Sequence, residues 1–365
     1  MRVATYYNNN DVRLEEMPVP KIGPGELLVK VIASGICGSD VLEWYRSKKA
    51  PLVLGHEITG EIVEIGEGVE KYRPGDRVFV SHHVPCNTCR YCLSGNHTVC
   101  DTLRSTNFDP GGFAEYIRVP QINVDRGTFR LPDGMTFAEG VFIEPLACVV
   151  RGQQKARLEA GQSVLVIGSG ISGILHIQLA RTREGSSLAI QHSSISGILP
   201  IQLARTVGTG RVIATDVDGY RLKAAERFGA DGTILADQYL PACLRQVNDG
   251  CLADLVIVCT GAAQAISQAM QCVERGGTIL FFAPPTPEAT FPLQLYDLWH
   301  DGITLTNTYA GSPDDIATAI ELIRDRSINV QDMITHRLSL TETGLGFQLV
   351  ARAQDSLKVI IEPQR

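Results

Sequence analysis

Four cysteines with short, regular spacing form the most specific chemical pattern in this sequence. Cys86, Cys89, Cys92 and Cys100 follow the pattern Cys-x2-Cys-x2-Cys-x7-Cys. Four thiolates placed this closely can surround one Zn²⁺ ion as a tetrahedron and leave no coordination position open, which is the design of a structural zinc site. The alternatives are four unrelated reduced cysteines and a nucleic-acid-binding finger. A polar loop without a basic flank favours neither of them.

A second set of metal-ligating residue types is dispersed along the first 150 residues. Cys37 follows a run typical of a β-strand, His56 and Glu57 come about twenty residues later, and Glu144 precedes a proline. One thiolate, one imidazole and a carboxylate would leave room for an exchangeable fourth ligand, as in catalytic zinc sites. For His56 and Glu144 the alternatives are a packed core histidine and a surface carboxylate. Asp40 is a natural partner to fix the His56 ring.

A glycine-rich turn predicts a dinucleotide-binding site. Gly168, Gly170 and Gly173 form a Gly-x-Gly-x-x-Gly pattern directly after the apolar run SVLVIG and before a helical pattern. Such a turn brings a pyrophosphate close to a helix N-terminus, where backbone amides favour an anion. The acidic residue that completes the fingerprint would be Asp216, at the end of the run RVIATD and without an adjacent basic residue. A carboxylate there repels a 2′-phosphate, so NAD is favoured over NADP.

An internal duplication explains the long separation between this turn and Asp216. Residues 159–182 align without gaps on residues 183–206, with fourteen of twenty-four positions identical. Asp216 lies 43 residues after Gly173, and removal of one copy shortens this separation to 19 residues. Because only the first copy has all three glycines, we expect 163–181 to occupy the sheet and 183–206 to be looped out. The opposite seating would keep the second copy contiguous with RVIATD and is the alternative.

The elements that must position these residues are of two kinds. The first 150 residues contain short β-type runs separated by turns and predict an all-β portion: ELLVKVIAS (26–34), TGEIVEIG (59–66) and DRVFVS (76–81). From about Gln162, apolar runs alternate with helical patterns and predict a parallel sheet of βαβ units, with strands in 163–168, 211–216, 253–261 and 277–283. The helical pattern DDIATAIELIRD and the strand LKVIIEP either end this second domain or return to the first.

Length and composition restrict the class of protein. The chain has 365 residues, enough for two domains, and its net charge of −7 without blocks of like charge argues against nucleic-acid or basic membrane-binding surfaces. Charged residues occur near the N-terminus before any apolar run as long as that of a signal peptide. The longest apolar stretch, 164–180, is interrupted by glycines and does not resemble a membrane span. We therefore expect a cytoplasmic protein without membrane partners, in which cysteines bind metal rather than form disulfides.

Taken together, these motifs resemble the zinc-dependent medium-chain dehydrogenase/reductase family, specifically its polyol branch around sorbitol and threonine dehydrogenases. The motifs GICGSD, LGHEITGEIVEIG, PGDRV, the four-cysteine lobe, GGFAEYI, IEPL, the glycine turn, VIVCTGA and ITHR follow in order along nearly the whole chain. The resemblance implies an α/β protein with a GroES-like β-rich catalytic domain, residues 1–151 and 307–365. It also implies a Rossmann coenzyme domain with a doubly wound parallel sheet, residues 152–306, and a homodimer or homotetramer.

The resemblance assigns roles around the catalytic zinc. Cys37, His56 and Glu144 would hold the metal, and Glu57 would be a nearby carboxylate that can bind or release it. Ser39 would take the proton of the alcohol substrate. The four-cysteine lobe would hold the structural zinc.

The resemblance also assigns the coenzyme residues. Asp216 and, by position, Arg221 would hold the adenosine ribose beside the turn of Gly168, Gly170 and Gly173. Thr260 would lie where the family's backbone meets the nicotinamide.

The predicted activity is transfer of a hydride from a secondary alcohol or polyol to NAD, with Zn²⁺ and NAD as cofactors. This chain has Leu42 where many relatives have a relay histidine, and Glu144-Pro145 instead of the Asp-Pro of threonine dehydrogenases. The second difference favours polyols or other secondary alcohols. The alternative is a zinc-stabilised, dehydrogenase-like protein with impaired turnover, because the duplication falls in the cofactor fingerprint. A zinc-free quinone reductase is disfavoured by Cys37, His56 and the complete lobe.

Overall fold

The structure, a computed structural model, describes residues 1–182, 210–237 and 240–365. The second copy of the duplication, 183–206, therefore lies outside the described residues. The chain divides into two units, unit 1 with residues 1–147 and 310–365, and unit 2 with residues 148–309. The sequence analysis expects the corresponding divisions at 151/152 and 306/307. The C-terminal segment thus belongs to the same unit as the N-terminal one.

Unit 1 is built mainly on antiparallel strands. Numbered along the chain, its strands are β1 (Arg2–Asn8), β2 (Asp11–Glu16), β3 (Leu27–Gly35), β4 (Leu52–Val53), β5 (Glu57–Ile65), β6 (Arg77–Ser81), β7 (Tyr116–Val119), β8 (Thr128–Arg130), β15 (Ile334–Ser339) and β16 (Lys358–Glu362). The larger sheet has the order β15–β16–β3–β5–β6–β8, with β7 also paired to β3, and a smaller sheet has the order β2–β1–β4. The last strand of the described chain, β16, therefore lies beside one of the first.

Short helices connect these strands. They are α1 (Glu43–Arg46), α2 (Arg90–Leu93), α3 (Asp101–Ser105), α4 (Gln121–Gly127) and α5 (Phe137–Gly140), followed by α6 (Ile143–Lys155), which contains the division at 147/148, and later by α12 (Pro313–Arg324) and α13 (Thr343–Arg352). Single 3₁₀ turns span Gly38–Val41, Ser47–Lys49, His97–Val99, Gln331–Met333 and Leu340–Glu342. The all-β expectation for the first 150 residues missed α1 to α5, because helices of at most seven residues show too little periodicity.

Apolar side chains on alternate strand positions form the core of unit 1. Leu27, Val29 and Val31 alternate along β3 and pack in one buried cluster, as the two-residue period of a strand requires. Val359 and Ile361 of β16 pack in a second cluster, which also contains Phe347. The C-terminal strand is therefore held by packing as well as by its pairing with β3.

Unit 2 is a parallel sheet with helices between its strands. The strands are β9 (Val164–Ile167), β10 (Val212–Asp216), β11 (Gly232–Leu235), β12 (Ala253–Val258), β13 (Val273–Phe281) and β14 (Thr304–Asn307). The helices are α7 (Ile171–Thr182), α8 (Gly219–Arg227), α9 (Leu240–Val247), α10 (Ala263–Cys272) and α11 (Leu295–His300). Among the described residues the order is β11–β10–β9–β12–β13–β14, which is the doubly wound order of a Rossmann fold.

The strand of the first copy of the duplication occupies the centre of this sheet. Leu165 of β9 pairs with Ile213 on one side and with Val256 on the other. Its neighbours Val164 and Val166 pack in one buried cluster, whereas Leu165 and Ile167 pack in another. Both faces of β9 are therefore covered, as parallel sheets require. The sequence expectation that 163–181 takes this place agrees with the structure.

The search for membrane-spanning helices covered only the residues that the structure describes. Within them, no helix is both long and apolar enough to cross a membrane.

Candidate functional site

Two neighbouring strands of unit 1 bring Cys37, His56 and Glu57 together. Cys37 comes two residues after the end of β3, and Glu57 begins β5, where it faces Gly35 in the antiparallel register. The thiol Sγ, one ring nitrogen and one carboxylate oxygen of the three residues lie within 4.8 Å of one another. Gly55 precedes His56 with a φ of +92°, in the left-handed region that favours glycine. These residue types in this arrangement can bind a zinc ion.

Asp40 fixes the orientation of two residues in this group. Its carboxylate is fully buried, and its Oδ1 lies 3.3 Å from Nδ1 of His56. Its Oδ2 accepts a hydrogen bond of 3.1 Å from the backbone N–H of Cys37. Burial raises the pKa of Asp40, whereas the charges of His56 and Arg46 and the hydrogen bond with His56 lower it. The lowering effects together are larger, so the pKa of Asp40 is below its ordinary value. Because Nδ1 of His56 faces Asp40, Nε2 is the nitrogen available to a metal ion.

Glu57 is held by an ion pair with Lys358 of β16. The two side chains are 1% and 0% exposed, and Nζ of Lys358 contacts Oε2 of Glu57. Gly35 leaves room for the pair, since a Cβ there would overlap Oε2 and lie 2.6 Å from Cε of Lys358. The other oxygen, Oε1, is buried and has no hydrogen-bond partner in the described part of the chain. A divalent cation next to Cys37 and His56 would satisfy this oxygen.

Glu144 is the carboxylate that the family resemblance assigns to the metal. It is in the first turn of α6 and is partly exposed. The potential metal-ligand group found among the described residues contains Glu57 in its place. Glu57 directly follows His56 along the chain, whereas Glu144 is carried by a helix. The structure therefore brings Glu57 to Cys37 and His56, and the assignment of Glu144 to the metal stays a prediction.

Two further histidines lie next to the group. The ring centroids of His56 and His82 are 4.9 Å apart, and those of His82 and His83 are 3.8 Å apart. Burial lowers the pKa of His82 well below its ordinary value and that of His83 to about 4. Both rings are therefore neutral near pH 7. The backbone carbonyl of His82 accepts a hydrogen bond of 3.0 Å from the buried side chain of Asn123, which holds this segment in place.

The four cysteines of the lobe converge as their spacing predicts. The Sγ atoms of Cys89 and Cys92 are 3.6 Å apart, those of Cys86 and Cys100 are 3.6 Å apart, and those of Cys86 and Cys92 are 3.9 Å apart. Zinc–sulfur bonds of about 2.3 Å in a tetrahedron place sulfur atoms about 3.8 Å apart. Hydrogen bonds from Thr88 and the Cys89 amide lower the pKa of Cys86 to about 5, which favours its thiolate. The cluster therefore fits a tetrahedral zinc ion.

The glycine turn of unit 2 connects β9 to α7. Gly168 has a φ of +97°, and a Cβ at Gly173 would overlap the carbonyl oxygen of Gly168. The first turn of α7 can therefore pack directly on this loop only with glycine at both positions. Gly170 has no neighbouring heavy atom closer than 3.6 Å to the position of a Cβ, and the nearest is the guanidinium of Arg221. The cradle fits a pyrophosphate at the N-terminus of α7.

Asp216 is fixed at the end of β10 by two backbone amides. Its Oδ2 accepts a hydrogen bond of 2.7 Å from Ser169 N–H, and its Oδ1 accepts one of 3.0 Å from Asp218 N–H. Arg221 lies in α8 with its Nε buried and without a hydrogen-bond partner in the described part of unit 2. Thr260 follows the end of β12 by two residues, and its hydroxyl accepts a hydrogen bond from Ala262 N–H. All three lie at or after the carboxyl ends of parallel strands, where such folds bind ligands.

This combination of fold and site defines a class of zinc-dependent oxidoreductases that use a nicotinamide coenzyme, and comparison with known proteins gives the same class. Residues 23–133 match the family described as Alcohol dehydrogenase GroES-like domain, and residues 197–325 match Zinc-binding dehydrogenase. The second match begins inside the second copy of the duplication, which is the copy contiguous with β10 in the sequence. The chain belongs to the zinc-dependent medium-chain dehydrogenase/reductase family, in its polyol branch.

Individual relatives cover nearly the whole chain. Sorbitol dehydrogenase of Gallus gallus is 28% identical over 363 residues, which cover 96% of this chain and 93% of the relative. The solved structure of alcohol dehydrogenase TADH from Thermus sp. ATN1 is 27% identical, with a TM-score of 0.81 and 99% of each chain covered. A structure from Sinorhizobium meliloti 1021, described as a zinc-binding dehydrogenase bound to NADP, is 25% identical, with a TM-score of 0.81 and 99% of each chain covered.

These matches establish what the protein is at the level of class. It is an alcohol or polyol dehydrogenase that acts on a small molecule, and its cofactors are zinc and a nicotinamide dinucleotide. The expected fold, a GroES-like domain with a Rossmann domain, is confirmed.

The sulfur geometry of the lobe leads to a prediction about zinc content. Cys92→Ser should lower the zinc content by about one equivalent and reduce thermal stability, since structural zinc contributes on the order of 10 kcal/mol to small sites. Zinc content is measured by elemental analysis and stability by calorimetry. Cys251→Ser is the matched control, because Cys251 is an exposed cysteine of unit 2 outside either cluster. Equal zinc content in the two variants would contradict the assignment.

Proposed function

We propose that this chain oxidises a secondary alcohol or polyol by hydride transfer to NAD, at a catalytic zinc site formed by Cys37, His56 and a carboxylate. The observation that carries the proposal is the convergence of a thiol, an imidazole and a carboxylate within 4.8 Å. Three protein ligands leave one coordination position for substrate. The sorbitol dehydrogenase of Gallus gallus, to which the chain is similar, supports a polyol as substrate.

The residues around this site have separate roles in the proposed reaction. When bound, zinc lowers the pKa of an alcohol hydroxyl, and the nicotinamide ring accepts the hydride. Ser39 takes the proton of the alcohol, and Asp40 keeps the His56 ring in its orientation. Glu57 supplies the carboxylate in the arrangement described, and Glu144 is the carboxylate that we propose to exchange with it.

The first test of this function uses His56→Ala. The zinc-loaded protein should reduce NAD in the presence of at least one member of a panel of sorbitol, butane-2,3-diol and butan-2-ol, followed by the absorbance of the reduced coenzyme. His56→Ala should lose turnover by at least about 10³-fold, because a missing ligand removes the metal from the reaction. Its affinity for NAD, measured by calorimetry, should stay within about threefold, because the glycine turn belongs to unit 2.

A matched control and an alternative complete this test. His300→Ala changes an exposed histidine of α11 and should leave turnover unchanged. If the unmodified protein binds zinc and NAD but oxidises no member of the panel, the alternative of a dehydrogenase-like protein with impaired turnover is favoured. Full activity after a chelator has removed the labile zinc would contradict the role of Cys37 and His56.

A preference for NAD over NADP is proposed from the fixed carboxylate of Asp216. Two backbone amides hold its oxygens at 2.7 and 3.0 Å, so the charge cannot turn away from an incoming 2′-phosphate. The similar protein from Sinorhizobium meliloti 1021 was solved with NADP, which makes the choice of coenzyme a real question for this chain.

Exchange of Asp216 should therefore change coenzyme choice. Asp216→Ser should weaken the binding of NAD. It should also lower the ratio of kcat/KM for NAD to kcat/KM for NADP by about tenfold or more, which corresponds to about 1.4 kcal/mol. Asp249→Ser is the control, because Asp249 is an exposed carboxylate of the same unit that pairs with Arg211. Equal kcat/KM values for NAD and NADP in the unmodified protein would show that Asp216 does not determine the choice of coenzyme.

We also propose that the protein assembles as a homodimer or homotetramer through unit 2. Helix α11 exposes Leu295, Tyr296 and Trp299, which are 71%, 69% and 78% accessible. Adjacent large apolar side chains at a surface mark an interaction site. Strand β14 is at the edge of the sheet formed by the described residues, and an edge strand offers free backbone groups for pairing.

Light scattering tests this assembly. The unmodified protein should have a mass of at least twice the 39.7 kDa of one chain. Trp299→Asp should lower the mass toward that of one chain, because it places a charge in the apolar patch. A protein that is monomeric at all concentrations would rule the assembly out.

A further inference from the structure

Arg46 is a cation next to the candidate metal centre to which no motif of the sequence assigns a role. It is the last residue of α1, and its side chain is 14% exposed. Its guanidinium contacts the 3₁₀ turn that follows Cys37. Nε donates to the carbonyl oxygen of Ser39 at 3.0 Å, and one terminal nitrogen donates to Ser39 Oγ at 3.2 Å and to Asp40 Oδ1 at 3.3 Å. The planar guanidinium thus binds three acceptors of one turn in a fixed geometry.

The contact with the hydroxyl of Ser39 restricts what that hydroxyl can do. A serine hydroxyl has one hydrogen to donate and two lone pairs that accept. Arg46 occupies one lone pair and has no lone pair of its own, so the hydrogen of Ser39 must point away from Arg46. The second lone pair stays available to accept a proton. With Arg46 in place, the Ser39 hydroxyl can still accept one hydrogen bond and donate one, and the hydrogen that it donates points away from Arg46.

The same guanidinium is coupled to the candidate ligand His56 through Asp40. Arg46 and His56 each lie 3.3 Å from Oδ1 of Asp40, whose carboxylate is fully buried. Oδ2 of Asp40 accepts the backbone N–H of Cys37. One carboxylate therefore joins the turn that carries Ser39 to two of the candidate zinc ligands. A displacement of Arg46 would change the position of Ser39 relative to both.

We propose that Arg46 is a positioning residue that holds the Ser39 hydroxyl ready to accept the proton of an alcohol bound next to Cys37 and His56. The proposal rests on the dehydrogenase function above. As the O–H bond of the alcohol breaks, Ser39 Oγ gains that proton and releases its own hydrogen to a water molecule. NAD, when bound, would accept the hydride of the carbinol C–H bond as the C=O bond forms. The outgoing proton cannot pass through Arg46, which accepts none, or through Leu42, which is a hydrocarbon. In the proposed step, water accepts it.

The test compares Arg46→Met and Arg46→Lys with the control Lys49→Met in the zinc-loaded holoenzyme. Lys49 is a suitable control because its Nζ lies 4.6 Å from the centroid of the Tyr45 ring, which Arg46 also contacts at 4.7 Å. The substrate is whichever of sorbitol, butane-2,3-diol and butan-2-ol the unmodified enzyme oxidises fastest. The measured quantities are kcat, KM, zinc content and the effect of D₂O on kcat.

Arg46→Met should lower kcat by about 30-fold or more and leave KM within about threefold, because positioned proton transfer contributes about 10² to 10⁴ to such rates. Zinc content should stay unchanged, and the D₂O effect on kcat should increase because proton transfer becomes slower. Arg46→Lys should have a kcat of at least about a fifth of that of the unmodified enzyme, since lysine keeps the positive charge and one donor group. Lys49→Met should stay within about twofold of the unmodified enzyme, since it leaves the donors of Arg46 in place.

A double variant separates action through Ser39 from a general effect on the fold. In the background of Ser39→Ala, Arg46→Met should change kcat by less than about threefold, because coupled residues are not additive. Additive losses, or a kcat of Arg46→Met equal to that of Lys49→Met, would overturn the proposal. Loss of zinc in both Arg46 variants would also overturn it, by showing a structural role. If the unmodified protein oxidises no substrate of the panel, the dehydrogenase function fails and the proposal fails with it.

Discussion

A buried carboxylate must be compensated, and in unit 1 this requirement organises the candidate metal centre. Glu57 and Lys358 are both removed from water, and the loss of either partner would leave an isolated charge in the interior, at a cost of several kcal/mol. The pair therefore requires β16 to lie beside β3 and Gly35 to lack a side chain. His56 immediately precedes Glu57, so the ion pair also sets where the imidazole enters the site. Glu57 thus brings a carboxylate oxygen within 4.8 Å of the ligand atoms of Cys37 and His56, and its Oε1 has no hydrogen-bond partner among the described residues.

The two candidate metal sites of unit 1 differ in how far apart their ligands lie along the sequence. This difference decides how well each site could be predicted. All four lobe cysteines lie within fifteen residues, so a single loop closes around the metal and the spacing alone indicates the site. Cys37, His56 and Glu57 converge only when β3 and β5 are in register. Lys358 and Arg46 were not predicted. Lys358 meets Glu57 across 301 residues, and Arg46 acts through side-chain hydrogen bonds that no local pattern indicates.

In unit 2 the sequence predicted the elements and the turn, but not what holds the acidic residue. The strands agree with their apolar runs because residues buried on both faces leave a clear signal in the sequence. The glycines were predictable because each is required by a turn or a close approach. That two amides fix the carboxylate of Asp216 depends on the neighbouring loops and has no sequence signature. Glu144 is a different case, because its place among the ligands was inferred from family resemblance and stays a prediction.

The return of β16 to the first sheet has a consequence for synthesis on the ribosome. Unit 2 is contiguous, so the nascent chain can form its sheet once residue 309 has emerged. Unit 1 must wait for residues 358–362, since only then can its sheet receive β16 and the carboxylate of Glu57 its cation. A translation product that stops before residue 358 would contain every candidate zinc ligand and the whole coenzyme unit, yet keep a charged, unfinished sheet. In that product the backbone groups of Ser34 and Gly35 that pair with β16 would be left open to another chain.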